Sequence, residues 1–145
     1  MTGSLPEPRS LVPHAGDMCL LERIVRYDER EIVCATASHR SPTNPLRSRG
    51  ALAALHLAEY GAQTMATHGG LSDPRAKERG GMLVAIRDLT LAVDRLDDVP
   101  GELEVTATRL VANADGQIYA FTASGGGREL GRGRVSVMFR KVPAR

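Results

Sequence analysis

The stretch RGALAALHLAEYGAQTMATHGG, residues 49–70, decides how the rest of this chain must fold. From Ala51 to about His68 the pattern is helical, with Leu52, Leu55, Glu59, Ala62 and Ala66 at i, i+3, i+7, i+10 and i+14, a single stripe. Gly69-Gly70 supplies the stop that helix C-termini favour. One ionisable residue, Glu59, lies on that stripe, with Gln63 one turn on and the small residues Ala58, Gly61 and Ala62 around it. An unpaired carboxylate buried there would be costly, and desolvation would raise its pKa. Glu59 therefore either reaches water or does chemistry, and its place on the stripe beside Gln63 favours chemistry.

Working outward, the segments on both sides of this helix read as strands. Upstream, a short strand is expected near Ile24 and Val25, and a second in EIVCATASH (31–39), followed by the loop RSPTNPLRSR. Downstream, LSDPRAKERGG reads as a loop, and MLVAIRDLTLAVD (82–94) alternates through Ile86, Leu89, Leu91 and Val93. DVPGE turns on Pro100-Gly101, ELEVTATRLVANA (102–114) leads to Asp115-Gly116, and QIYAFTAS (117–124) leads to Gly125-Gly126-Gly127. RELGRGRVSVMFRK closes the set. Four long strands joined by turns predict an antiparallel meander. One helix rich in small residues before such strands predicts an α+β domain whose sheet wraps the helix. Residues 1–10 read as a flexible N-terminus and 11–145 as a single domain.

The 145 residues suffice for one core, and with 3% aromatics and no Trp it must be aliphatic. A net charge of +2, with no basic run interleaved with aromatics, argues against a nucleic-acid partner. Arg40, Arg47 and Arg49, then Arg75, Lys77 and Arg79, form two local basic clusters, either solvated loops or a docking patch for an acidic partner. Cys19 and Cys34 are too few for a disulfide framework or zinc site. No stretch has the roughly 20 apolar residues of a membrane span. The opening MTGSLPEPRSLVPHAG lacks a signal-peptide core, so a cytoplasmic protein is expected. His56 and Glu59 have a His-x-x-Glu spacing, but the further carboxylates of a di-metal bundle are missing, so no metal or other cofactor is expected.

Four stretches, in order, resemble the 3-hydroxyacyl-[acyl-carrier-protein] dehydratases of the hotdog superfamily, nearest the branch serving aryl-polyene-type biosynthesis. They are LVPHAGDMCLLERIV with its Pro-His opening, LAEYGAQTMA with the acid four positions before Gln, MLVAIRDLTLAVDRLDDVPGELEV, and RELGRGRVSVMF. The resemblance implies a hotdog fold and a lyase acting on acyl chains tethered by phosphopantetheine to an acyl carrier protein. It further implies a homodimer, or a heterodimer with another hotdog subunit, whose active site assembles across the interface. The chain departs from the fatty-acid enzymes at their Gly-His-Phe-Pro motif. SHRSPTNP stands there, with Ser38 for Gly and Arg40 for Phe, and His39 lies twenty positions before Glu59.

Dehydration removes an α-proton and expels hydroxide, so it needs a base and a proton donor. A histidine suits the first and a carboxyl in an apolar pocket the second. The resemblance thus implies Glu59 as donor and His39 or His14 as base. Gln63 would orient Glu59 or the substrate. Backbone N–H groups at the helix start near Gly50 would steady the thioester oxygen. Arg47 and Arg49 would hold the carrier or its phosphate. Two alternatives remain open: a hotdog thioesterase whose helix carboxylate activates water, and a catalytically silent subunit pairing with an active dehydratase.

Overall fold

The computed structural model describes residues 5–11, 18–73 and 82–139. Six strands form one antiparallel sheet: β1 (Arg23–Tyr27), β2 (Glu31–Thr36), β3 (Met82–Leu91), β4 (Leu103–Ala112), β5 (Gly116–Gly125) and β6 (Arg128–Phe139). One helix, α1 (Leu57–Ser72), packs against β2, β4, β5 and β6. Alternation does the sorting: Leu103, Val105 and Ala107 of β4, with Tyr119, Phe121 and Ala123 of β5, are buried between sheet and helix. Gly61 permits the closest approach, because a Cβ there would sit 2.6 Å from carbons of the Phe121 ring. The β5–β6 hairpin turns on Gly126 and Gly127, both at positive φ (60° and 81°), as a two-residue type I′ connection demands.

Three expectations need correction. The strand order is β1-β2-β4-β5-β6-β3, so the last four strands are not a simple meander, and β3 pairs with β6 rather than β4. The connection after β3 is captured by the chain preceding α1. Ala54 N–H donates to Asp94 O (2.9 Å), Leu96 N–H to Leu52 O (2.8 Å) and Leu52 N–H to Asp97 Oδ1 (2.9 Å). Those bonds carry residues 92–100 across the end of the sheet. They also occupy the backbone groups that a helix beginning at Ala51 would need, so a 3₁₀ turn covers Ala54–His56 and α1 starts at Leu57. At its other end α1 runs through Gly69 and Gly70 to Ser72, with Gly70 packed tightly on Leu11.

The third correction concerns the helix face. The sheet covers Leu57, Tyr60, Gly61, Thr64, Met65, Thr67 and His68, not the stripe running from Leu55 through Glu59 to Ala66. Buried threonines satisfy themselves along the helix, Thr64 Oγ1 donating to Tyr60 O and Thr67 Oγ1 to Gln63 O, each at 2.8 Å. A face containing polar residues could thus be buried at little cost. Leu55 is left 60% exposed, and Glu59, Ala62 and Ala66 are half-buried. Cross-strand partners share a sheet face. Val84 and Ile86 therefore lie on the inner face beside Val137 and Val135, yet they are 52% and 37% exposed.

Candidate active site

His39 stands in a 3₁₀ turn, Ser38–Arg40, just after β2. A hydrogen-bond network fixes that turn. Ser38 Oγ donates to Leu20 O (2.7 Å), and the Tyr60 hydroxyl donates to Ser38 Oγ (2.8 Å). Asn44 Nδ2 donates to Tyr60 Oη (3.2 Å) and to Ser38 O (2.9 Å). The turn is thereby tied both to the helix and to the segment before β1.

The imidazole itself is fully buried. Its Nε2 lies 3.0 Å from the Val99 carbonyl, which can only accept, so Nε2 carries the proton and Nδ1 presents a lone pair. Nδ1 is buried with no hydrogen-bond partner. Burial holds the ring below the ordinary histidine pKa of 6.5, opposed by the Val99 bond and by Glu22, and aided by Arg40 and Arg47. A neutral ring with a fixed tautomer and a vacant acceptor has the form of a general base awaiting a proton.

Glu59 lies in the first turn of α1. Gln63, fully buried, donates from Nε2 to Glu59 Oε1 (3.0 Å) and to Met18 O (2.6 Å), while its Oε1 accepts from Leu20 N–H (2.8 Å). Both amide protons of Gln63 are thus engaged by protein, one of them aiming Glu59. The His39 ring is held by the Val99 carbonyl and the Glu59 carboxyl by Gln63.

The other sequence-predicted positions divide. His14 lies outside the described residues, as do Arg75, Lys77 and Arg79. Gly50 is not at the helix start; it is exposed in the turn before it, at φ 76°. Arg49 is exposed at φ 53°, whereas Arg47 is directed inward onto backbone carbonyls. Cys34 is buried, which pushes its thiol up to about 12, far from a thiolate nucleophile. His68 is a buried latch. Its Nε2 donates to Asp28 O (2.8 Å), and Nδ1 accepts from the Tyr119 hydroxyl.

Two features escaped the sequence reading: the Val99 carbonyl, a main-chain group with no residue signature, and Asp97. The Asp97 carboxylate takes Arg95 and the Leu52 N–H, which together hold it well below the usual carboxylate range. Through Asp97 and Val99, the crossing segment anchors both the approach to α1 and the His39 ring.

A single helix laid on a six-stranded antiparallel sheet, with a histidine turn after β2 and an acid in the first turn of the helix, defines a hotdog-fold protein. The chain belongs to the ApeP-like family, described as ApeP dehydratase, which it matches over residues 6–143. No curated protein matches it. Among solved structures it is similar to the dehydratase heterocomplex ApeI:P from Xenorhabdus doucetiae, at 18% identity and TM-score 0.82, covering 94% of this chain and 93% of that one. An HP0420 homologue from Helicobacter felis is similar at 7% identity and TM-score 0.66, covering 99% and 96%. A hypothetical thioesterase with coenzyme A from Streptococcus pneumoniae follows the same fold at 10% identity and TM-score 0.56, covering 84% and 88%.

Proposed function

We propose that this chain is a subunit of a dehydratase that converts a 3-hydroxyacyl thioester on an acyl carrier protein into the trans-2-enoyl thioester, as in fatty-acid-like, polyene or polyketide synthesis. The observation that carries this reading is the state of His39: buried, neutral, fixed at Nε2 by Val99, and unpartnered at Nδ1. Nδ1 takes the proton from C2, and the electron pair moves to form the C2–C3 double bond as the C3–O bond breaks. Glu59 supplies the proton with which the hydroxyl leaves as water, and the proton on the imidazole returns to the carboxylate to reset the pair. The pair is completed across the interface with a second hotdog subunit, as the resemblance to the hotdog dehydratases implies. The half-exposed stripe of α1 and the uncovered Val84 and Ile86 offer the surface for that subunit.

Gln63 acts as the residue that positions Glu59, and Arg49 with Arg40 faces the acidic carrier and its phosphate. Among the described residues no helix is long and apolar enough to cross a membrane, and synthesis on a carrier protein assigns the work to the cytoplasm. The silent-subunit reading has one observation in its favour, SHRSPTNP where the fatty-acid enzymes carry Gly-His-Phe-Pro. It is decided by whether the chain alone turns over.

The test supplies a 3-hydroxyacyl carrier protein to the chain alone and to the chain co-expressed with a second hotdog subunit, and follows acyl-carrier mass. Loss of one water is expected. Release of free carrier thiol would mark a thioesterase instead. Glu59→Gln keeps the acceptor for Gln63 and should fold normally, and it should lower enoyl formation by about 10²–10⁴-fold. Retained turnover removes Glu59 from the mechanism.

A further inference from the structure

We propose that Arg47 is the positioning residue for His39, its guanidinium tying the turn that carries the imidazole to the far end of the same loop. This rests on the reading of His39 as the base, and it gives Arg47 a different task from contact with substrate. Arg47 Nη2 donates to Arg40 O (3.0 Å) and to His39 O (3.5 Å), and Nη1 donates to Gly50 O (3.3 Å). The three carbonyls come from both ends of the loop between β2 and α1, so one side chain closes it. Positive φ at Arg49 and Gly50 makes the sharp reversal that brings the Gly50 carbonyl within reach. Nε of Arg47 is buried without a partner, a costly position for a charged donor. A guanidinium so placed, with both Nη2 protons given to main-chain oxygens, is built to hold backbone. Lysine, whose three N–H donors sit on one nitrogen, cannot span the same carbonyls.

The arrangement also acts on the ring. Facing the imidazole are the Val99 carbonyl and Glu22, which favour its protonated form, and Arg40 and Arg47, which oppose it along with burial. Removing Arg47 takes away one of two opposing cations, so His39 should then protonate at higher pH.

The experiment uses Arg47→Gln and Arg47→Lys in the protein as it functions, with its partner subunit if one is required. Two readouts are taken: imidazole titration by NMR of histidine-labelled protein, and kcat and KM for enoyl formation. Arg47→Gln should lower kcat on the order of 10–100-fold with KM unchanged, as misplacement of a catalytic group does. It should also raise the pH at which His39 titrates. Arg47→Lys should return that titration toward wild type while leaving kcat low.

A raised KM with kcat intact would make Arg47 a substrate contact and overturn the proposal. So would a lost kcat with unchanged His39 titration, the mark of a merely structural role. If Arg47→Gln fails to fold, a folded Arg47→Lys protein with wild-type kcat overturns it equally. A wild-type protein that forms no enoyl product fails the dehydratase reading alone; the titration still decides whether Arg47 governs His39.

Discussion

The two sides of α1 differ in a way that separates what this chain accomplishes alone from what it leaves open. On the sheet side, Tyr60, Thr64, Thr67 and His68 are at most 1% exposed, and each has its polar atoms hydrogen-bonded to backbone or to a neighbouring side chain. On the other side, Leu55 is 60% exposed and Glu59, Ala62 and Ala66 are half-buried, with Val84 and Ile86 uncovered on the adjoining sheet. Buried polar groups are tolerable only when every bond is made. The sealed side meets that condition inside one chain. The open side combines apolar surface with the Glu59 carboxyl, the composition that the proposed function gives to a second chain and an acyl substrate.

The largest effect should come from the sealed side. Phe121, which fills the space left by Gly61, is almost fully buried, and Phe121→Ala should destabilise the fold by about 3–5 kcal/mol. Urea unfolding would measure it. A loss below about 1 kcal/mol would mean that the sheet and helix are not in close contact there.

The open side should answer differently. Ile86→Asp places a charge on the uncovered inner edge of β3 and should leave the unfolding midpoint of the isolated chain nearly unchanged. It should weaken association with a second hotdog subunit by about tenfold or more, or about 1.4 kcal/mol. Sedimentation velocity at several concentrations reads the second effect and chemical denaturation the first. If Ile86→Asp unfolds the chain without changing association, the division between the two sides is wrong.

How much of this was legible beforehand follows from the kind of signal each feature leaves. Strand alternation from Leu103 to Ala107 and the Gly126-Gly127 turn are local, and the structure has both where local chemistry put them. The position of β3 was not legible, because it depends on Asp94, Leu96 and Asp97 bonding Leu52 and Ala54, contacts between segments some forty residues apart. The helix stripe misled for a related reason. Apolar spacing picked Leu55 and Ala62, whereas the sheet covers a face whose Thr64 and Thr67 are neutralised by bonds that periodicity does not register. At the site, His39 and Glu59 were visible as residue types. The tautomer of His39 was not, since the Val99 carbonyl sets it, and neither was the inward turn of Arg47, two residues from an outward Arg49.

A further prediction of intermediate size turns on Gly61. Gly61→Ala gains about 1 kcal/mol in helix propensity, but its Cβ meets the Phe121 ring at 2.6 Å, an overpacking that costs about 1–3 kcal/mol. A net loss of stability is expected, and the double variant Gly61→Ala with Phe121→Leu should recover part of it. If Gly61→Ala alone raises the unfolding midpoint, the sealed side is less tightly packed than the geometry requires.

The smallest effect is the pH dependence of the fold, and it too distinguishes buried from open groups. His39 is held neutral in the folded chain, with its pKa below the ordinary 6.5, chiefly by burial. As pH falls below about 6.5, the unfolded chain takes up a proton that the folded ring resists, so unfolding gains and stability declines until the folded value is passed. Asp97 has its pKa depressed by Arg95 and by the Leu52 N–H, so its contribution is complete above the ordinary carboxylate range. That contribution is lost only as pH falls on toward its own low folded value. Denaturation midpoints across acid pH should therefore fall in two stages, the histidine stage first. His39→Gln should flatten the first stage and leave the second. A wild-type profile level from pH 7 to 5 would mean that the ring is already solvated, and with it would go the buried base of the proposed mechanism.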